Sequence, residues 1–302
     1  MSLLSIGTVA FDSIESPYGK VDRIIGGSCP YISLAASFFY QPIQVVAVIG
    51  EDFPKEYLNK LSDKGIDLKG LQLKLGEKSF YWSGKYHKNL NSRDTLVTEL
   101  NVLENFTPII PDEYQSCDFL MLGNLSPQVQ LQAIKNLKIR PKFIVMDTMN
   151  FWMDIAMEEL KVVMKEVDLI SINDEEAEQL TGEQSIRKAA KKILTMGPRY
   201  LIIKKGEHGA LLFYGEEMFY CPALPLEEVF DPTGAGDTFA GGFIGYLANS
   251  GDISFENMKK AVVHGSALAS FCVEKFGTDR LFEISENELE DRVAQFRRLS
   301  QF

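Results

Sequence analysis

The sequence predicts an α/β protein with a mostly parallel central sheet, helices on both faces, and a small β-sheet lid. Short apolar runs recur along the chain, and most are followed by an amphipathic stretch. Two other segments, Ser13 to Ile25 and Gly70 to Phe106, alternate like strands and lack helices. Strands that are apolar throughout are buried on both faces, as parallel sheets require. Right-handed crossovers are the default between such strands.

The elements follow in order. "LLSIGTVAF" reads as one opening strand, and "IQVVAVIG" as another, followed by a helix from Phe53 to Lys64. "CDFLMLG" precedes a helix over "PQVQLQAIKNL". "KFIVMD" is next, then "DLISIN" with a helix at "DEEAEQL". "YLIIKK" follows the helix "SIRKAAKKIL". The aromatic "KSFYWSGKYH" belongs to the second helix-free segment, which is expected to pair with the first as a small antiparallel sheet. Over the carboxyl ends of the strands such a sheet is a lid; two ordinary hairpins with no movement are the alternative. Trp82 and Tyr86 are either the core of this sheet or a platform for substrate. An apolar outer face on it would also allow a homodimer through the lid.

A chain of 302 residues suits one large α/β domain, read here as a single domain over residues 1–302, and 45% hydrophobic residues supply its core. The formal charge of -11 argues against a nucleic-acid partner. No apolar run is long enough to span a bilayer. The N-terminus lacks the basic stretch of a signal peptide. A cytoplasmic protein is expected. Cys29, Cys117, Cys221 and Cys272 are far apart, which favours buried thiols in a reducing compartment over disulfides or zinc. None of the 3 histidines pairs with cysteine at metal-ligand spacing.

Ligands on open α/β sheets bind beyond the carboxyl ends of the strands. Polar residues and glycines after apolar runs are therefore candidates: Asp12, Gly26, Gly27, Asn124, Asp147, Asn173, and Lys205 with Gly206. "FDPTGAGDTFAGGF" is the most informative stretch. A helix is expected to begin near Ala235. The first amides of a helix have no internal partner and, with the macrodipole, form an anion site. Gly234, Ala235 and Gly236 can thus donate to a phosphate, while Asp237 takes a proton from a hydroxyl. On spacing alone, a glycine-rich helix start with Asp237 as a dipole partner fits as well. A Walker loop is excluded, because Asp237 follows Gly236 where that motif needs lysine. The dinucleotide fingerprint is excluded by Phe239 in place of its third glycine.

This stretch resembles the C-terminal signature of the PfkB/ribokinase family of ATP-dependent carbohydrate and nucleoside kinases. "DPTGAGDTF" fits its form closely, and further motifs extend the resemblance over nearly the whole chain. "GTVAFD" looks like the opening strand with its substrate aspartate, "GG" at Gly26 and Gly27 like the diglycine, and "IGEDF" like the Gly-x-Asp turn. "NDEEAEQLTG" matches the Asn-x-x-Glu motif. "KKGEHGALL" matches a strand turn carrying Gly206 and Gly209.

The resemblance implies a ribokinase-like fold and transfer of a phosphoryl group from ATP to a hydroxymethyl group of a sugar or nucleoside. Asp237 would be the base, with Gly234, Ala235 and Gly236 as anion hole. Asn173 and Glu176 would hold water around Mg²⁺. Lys205, Gly206 and Gly209 would lie by the ATP phosphates, and Val263, His264, Ala267 and Phe276 would flank the adenine. Asp12, Gly26 and Gly27 would meet the substrate. A monovalent cation is left open.

Simpler readings stand beside these. "NDEE" after a strand is also a capping box. Lys205 fits a solvated strand end, Asp147 fits a turn cap as well as a substrate contact, and His264 fits a core position. One departure concerns substrate: many sugar kinases of the family follow the diglycine with Lys-Gly-x-Asn, but here Tyr31 takes the asparagine's position. An aromatic wall in the substrate site is expected, with plain ribose a poor acceptor. A ligand sensor on the same fold and a kinase of a vitamin-type alcohol are the alternative functions.

Overall fold

The computed structural model describes residues 1–90 and 92–301; Asn91, inside the expected lid segment, and Phe302 lie outside the described residues. The chain opens with β1 (Leu3–Ile6), then leaves the main body as β2 (Ala10–Ser16) and β3 (Gly19–Gly26). It returns through α1 (Ser28–Ser37), β4 (Ile43–Gly50), α2 (Lys55–Asp63) and β5 (Ile66–Lys74), and departs again as β6 (Phe80–Tyr86) and β7 (Arg93–Glu99). The middle of the chain is β8 (Phe119–Leu122), α3 (Pro127–Lys135), β9 (Phe143–Asp147), α4 (Asn150–Ile155), α5 (Met157–Met164) and β10 (Leu169–Asn173). Next come α6 (Asp174–Thr181), α7 (Ile186–Leu194), β11 (Tyr200–Lys204), β12 (Ala210–Tyr214) and β13 (Glu217–Cys221). The last helices are α8 (Ala235–Ser250), α9 (Phe255–Cys272), α10 (Asp279–Glu283) and α11 (Glu286–Leu299).

The main sheet has the order β13-β12-β11-β10-β9-β8-β1-β4-β5. Every pair from β11 to β5 is parallel, and β12 and β13 add an antiparallel edge. Both faces are buried, as the continuous apolar runs require. Phe119, Met121, Phe143 and Val145 face the core built by α1, α8, α9 and α11, while Leu120, Leu122, Ile144 and Met146 face the core built with α3, α5, α6 and α7. Successive side chains on a strand point to opposite faces, so each strand divides between two cores.

Three expectations change. The opening run is not one strand: β1 ends at Ile6, and Asp12 lies on β2 in a second sheet. The break comes at Thr8, which bonds to the start of α1: its amide donates to Ser28 Oγ at 3.0 Å, and its carbonyl accepts from the Cys29 amide at 2.9 Å. The second expected lid segment starts too early, because Gly70 belongs to β5, which is paired along β4 in the main sheet. The second sheet, of order β3-β2-β6-β7, is also not antiparallel throughout: its two hairpins are, but β2 and β6 run parallel. A parallel pair needs a long crossover, and the stretch from α1 to β5 supplies it. All 4 cysteines are buried free thiols. Among the described residues, no helix is long and apolar enough to cross a membrane.

Candidate active site

The site lies where β9, β10 and β11 end beneath the start of α8. Asn173 pairs in register with Lys204, and Ser171 with Asp147, so three polar side chains finish neighbouring strands at one edge. On β11, Tyr200 and Ile202 face the core that contains α8, and Lys204 continues that alternation. Its ammonium lies 3.3 Å from Oδ1 and 3.5 Å from Oδ2 of Asp147. Lys205, the residue expected near phosphate, takes the other face: it lines a cleft with Asp174, Glu175 and Glu178. Lys204 was missed because the strand is apolar on both sides, and alternation alone does not say which side holds the site.

"NDEE" forms the capping box in full. Asn173 Oδ1 accepts from the Glu176 amide at 2.7 Å, and Glu176 Oε2 accepts from the Asn173 amide at 2.8 Å. The buried Glu176 carboxyl is nevertheless part of the charge cluster. Burial pushes its pKa up to about 7; Lys204 opposes the rise and Asp147 adds to it. Burial alone would depress the Lys204 ammonium, but Asp147, Glu176 and Asp237 together hold its pKa above the ordinary value. The cap and the charge role therefore coexist in one side chain.

α8 starts after Gly234, which takes the left-handed conformation with φ 76°. Glycine is required there twice over: the φ is positive, and a Cβ would collide with the ring of Tyr31. The first-turn residues Gly236 and Asp237 have no helical carbonyl four positions back, so their amides are available to an anion. A Cβ on Gly236 would lie 3.1 Å from the Lys204 ammonium, which places that cation against the turn. Asp237 is half-buried, and its buried Oδ1 makes no hydrogen bond. Burial, reinforced by Asp147, pushes its carboxyl up to about 7.

On the other side of the turn lies the second sheet. Asp12 is buried on β2, with its carboxyl over Gly26, where any Cβ would overlap it. Gly27 joins β3 to α1, and its backbone works against the rise of the Asp12 carboxyl. Burial, then the neighbouring Asp231, push Asp12 up to about 7. Tyr31 is not an open aromatic wall: it is 1% exposed, its Oη is unpartnered, and its ring is packed under Gly234. Its position on a wholly buried helix decides this. Trp82 covers Gly84 on its own strand and donates to Thr95 Oγ1 at 3.3 Å. Arg93, exposed on β7, lies 5.7 Å from the Trp82 ring centre and lowers the carboxyls of Asp12, Glu176 and Asp237.

His264 stacks on Tyr246 at 4.3 Å, meets Phe39 edge-on at 5.4 Å, and its Nδ1 lies 2.7 Å from the Lys260 carbonyl. It is a packing residue, because two aromatic faces and a helix carbonyl satisfy it. Ala267 is fully buried, and Val263 packs against the same core. Phe276 lies 3.6 Å from a Cβ placed on Gly19 at the β2–β3 turn. Gly206 and Gly209 shape the turn from β11 to β12, with φ 51° and 88°.

Residues 20–284 match the pfkB family of carbohydrate kinases. A cytidine kinase of Thermococcus kodakarensis is 32% identical over 250 residues, covering 81% of this chain and 87% of that one. The crystal structure of the Methanocaldococcus jannaschii nucleoside kinase, described as an archaeal member of the ribokinase family, is similar with a TM-score of 0.77 at 18% identity, covering 98% of this chain and 99% of that one. An E. coli ribokinase II structure in complex with ATP and Mg²⁺ has a TM-score of 0.79 at 18% identity, covering 97% of this chain and 99% of that one.

Proposed function

Because the chain belongs to the pfkB family of carbohydrate kinases, and is a phosphotransferase of the sugar and nucleoside kinase kind, we propose that Asp237 is its base and that residues 234–236 form its anion hole. One observation carries this reading: a carboxylate with a buried, unpartnered oxygen stands in the first turn of a helix whose Gly236 and Asp237 amides have no helical partner. Asp237 takes the proton of the acceptor's hydroxymethyl group as that oxygen attacks the γ-phosphorus of ATP, the bond from this phosphorus to the β-phosphate oxygen breaks, and ADP leaves. The turn amides and the Lys204 ammonium balance the charge on the transferring group.

The residues fit ATP with Mg²⁺. Magnesium keeps several waters and takes one or two carboxylates beside substrate phosphates. Asp147 and Glu176, both buried beside Lys204, supply such carboxylates. When bound, the ion draws charge from the phosphate oxygens and fixes their geometry. The second sheet, with Asp12 on its inner strand, covers the acceptor and excludes competing water.

The proposed acceptor is a nucleoside. The similarity to a cytidine kinase supports it. The test is ATP consumption with a panel of nucleosides, pentoses and hexoses. A nucleoside is expected to give the highest kcat/KM, and ribose as the best substrate would overturn the assignment.

A further inference from the structure

Tyr86 stands outside the charge cluster but touches the turn beside it. It ends β6, its ring is buried, and its hydroxyl lies 3.0 Å from Oγ1 of Thr233. Thr233 immediately precedes Gly234, and its amide donates to Asp231 Oδ1 at 2.9 Å. Asp231 is fully buried and accepts from the Gly277 amide at 3.2 Å. Tyr31, from α1, supports the next residue through its ring. The anion turn is thus gripped by side chains from two separate elements, one in the core and one in the second sheet. Asp12 pairs in register with Trp82 on the strand that ends in Tyr86, so the acceptor carboxylate and this hydroxyl ride on adjacent strands.

We propose that Tyr86 is a positioning residue that ties the second sheet to the anion turn, so that the strands carrying Asp12 set where the turn's amides point. Glycine leaves the backbone of this turn more conformational freedom than another residue would. A hydroxyl pair of fixed length removes that freedom. Catalytic groups misplaced by as little as 1 Å can lose about a hundredfold in rate. This inference rests on the kinase reading only for its kinetic consequence.

The test is Tyr86→Phe, which keeps the ring and removes the bond. Amide hydrogen exchange is read at Ala235 and Thr238, whose amides donate to Pro232 O at 3.2 Å and Gly234 O at 2.8 Å. Both should exchange roughly tenfold faster, the scale of one lost hydrogen bond, while α8 beyond Phe239 keeps its protection. Thr233→Val should reproduce the effect and Thr233→Ser should restore it. The double variant Tyr86→Phe with Thr233→Val should add nothing, since both changes break one bond. In steady state kcat should fall about tenfold with KM for ATP within about twofold. Unchanged exchange at Ala235 and Thr238 overturns the proposal, as does equal acceleration throughout α8. If the unmodified protein transfers no phosphate, the kinase reading fails, and the exchange experiment still decides the role of Tyr86.

Discussion

The Lys204 ammonium lies 3.3 Å from Asp147 Oδ1, in the field of two further carboxylates, Glu176 and Asp237. The lysine side chain is 16% exposed and the aspartate 9%, so water screens the pair poorly. Removing one partner of a buried pair leaves an uncompensated charge, at a cost of about 3–5 kcal/mol. The buried pair is therefore a structural unit and a part of the proposed active site.

Lys204→Met should lower both stability and turnover. Loss of kcat/KM for ATP by about a hundredfold or more is expected, with a lower melting temperature. Lys205→Met should leave both within about twofold, because that side chain lies on the other face of the sheet. Equal effects of the two substitutions would remove Lys204 from the site.

Asp237→Asn should cut kcat by roughly 10²- to 10⁴-fold, the usual range for a lost general base. The same change should raise stability near pH 8, since an amide is buried there at less cost than a charge. Near-normal turnover in the folded variant would exclude Asp237 as base.

Glu176→Gln separates cap from charge. Glutamine can still close a capping box, so the melting temperature should move little. The Mg²⁺ concentration for half-maximal activity should rise several-fold as one buried carboxylate disappears. An unchanged Mg²⁺ titration would leave Glu176 with its cap alone.

The nucleotide-free protein should lose stability as pH rises from about 5 to 8. Burial pushes Asp12, Glu176 and Asp237 each up to about 7. Above the ordinary carboxyl range, near 4, the unfolded chain has released these protons while the folded chain still holds them. The folded state therefore binds more protons, and stability falls with rising pH until the folded groups have ionised. His264 acts the other way, since burial lowers its pKa, but it is one group against three. Thermal melts across this range check the sign, and a flat or rising profile counts against it.

Tyr31→Phe should be neutral or stabilising. It deletes a buried hydroxyl with no partner while keeping the ring beneath Gly234. Tyr31→Asn should destabilise by about 3–5 kcal/mol, as other large-to-small core changes do, without gaining ribose as substrate. Urea unfolding and the acceptor panel check both outcomes.

By itself the sequence determined the class of sheet, the succession of most of its strands along the chain, and the helix start at "GAGD", because each depends on local pattern. Continuous apolar runs mark strands buried on both faces, and "GAGD" marks a helix start that accepts close approach. Asn173 and Glu176 were legible for the same reason, as residues of one local box. Only the tertiary structure decided the rest. It moved Asp12 from the end of the first strand to the second sheet, since Thr8 finds its partners in α1, 20 residues away. It placed His264 among Phe39 and Tyr246, buried Tyr31 beneath Gly234, and set Lys204 against Asp147 with Lys205 on the other face. Those choices depend on which of two apolar faces meets which helix. Alternation along a strand has a period but no sign, and only packing against a distant element supplies one.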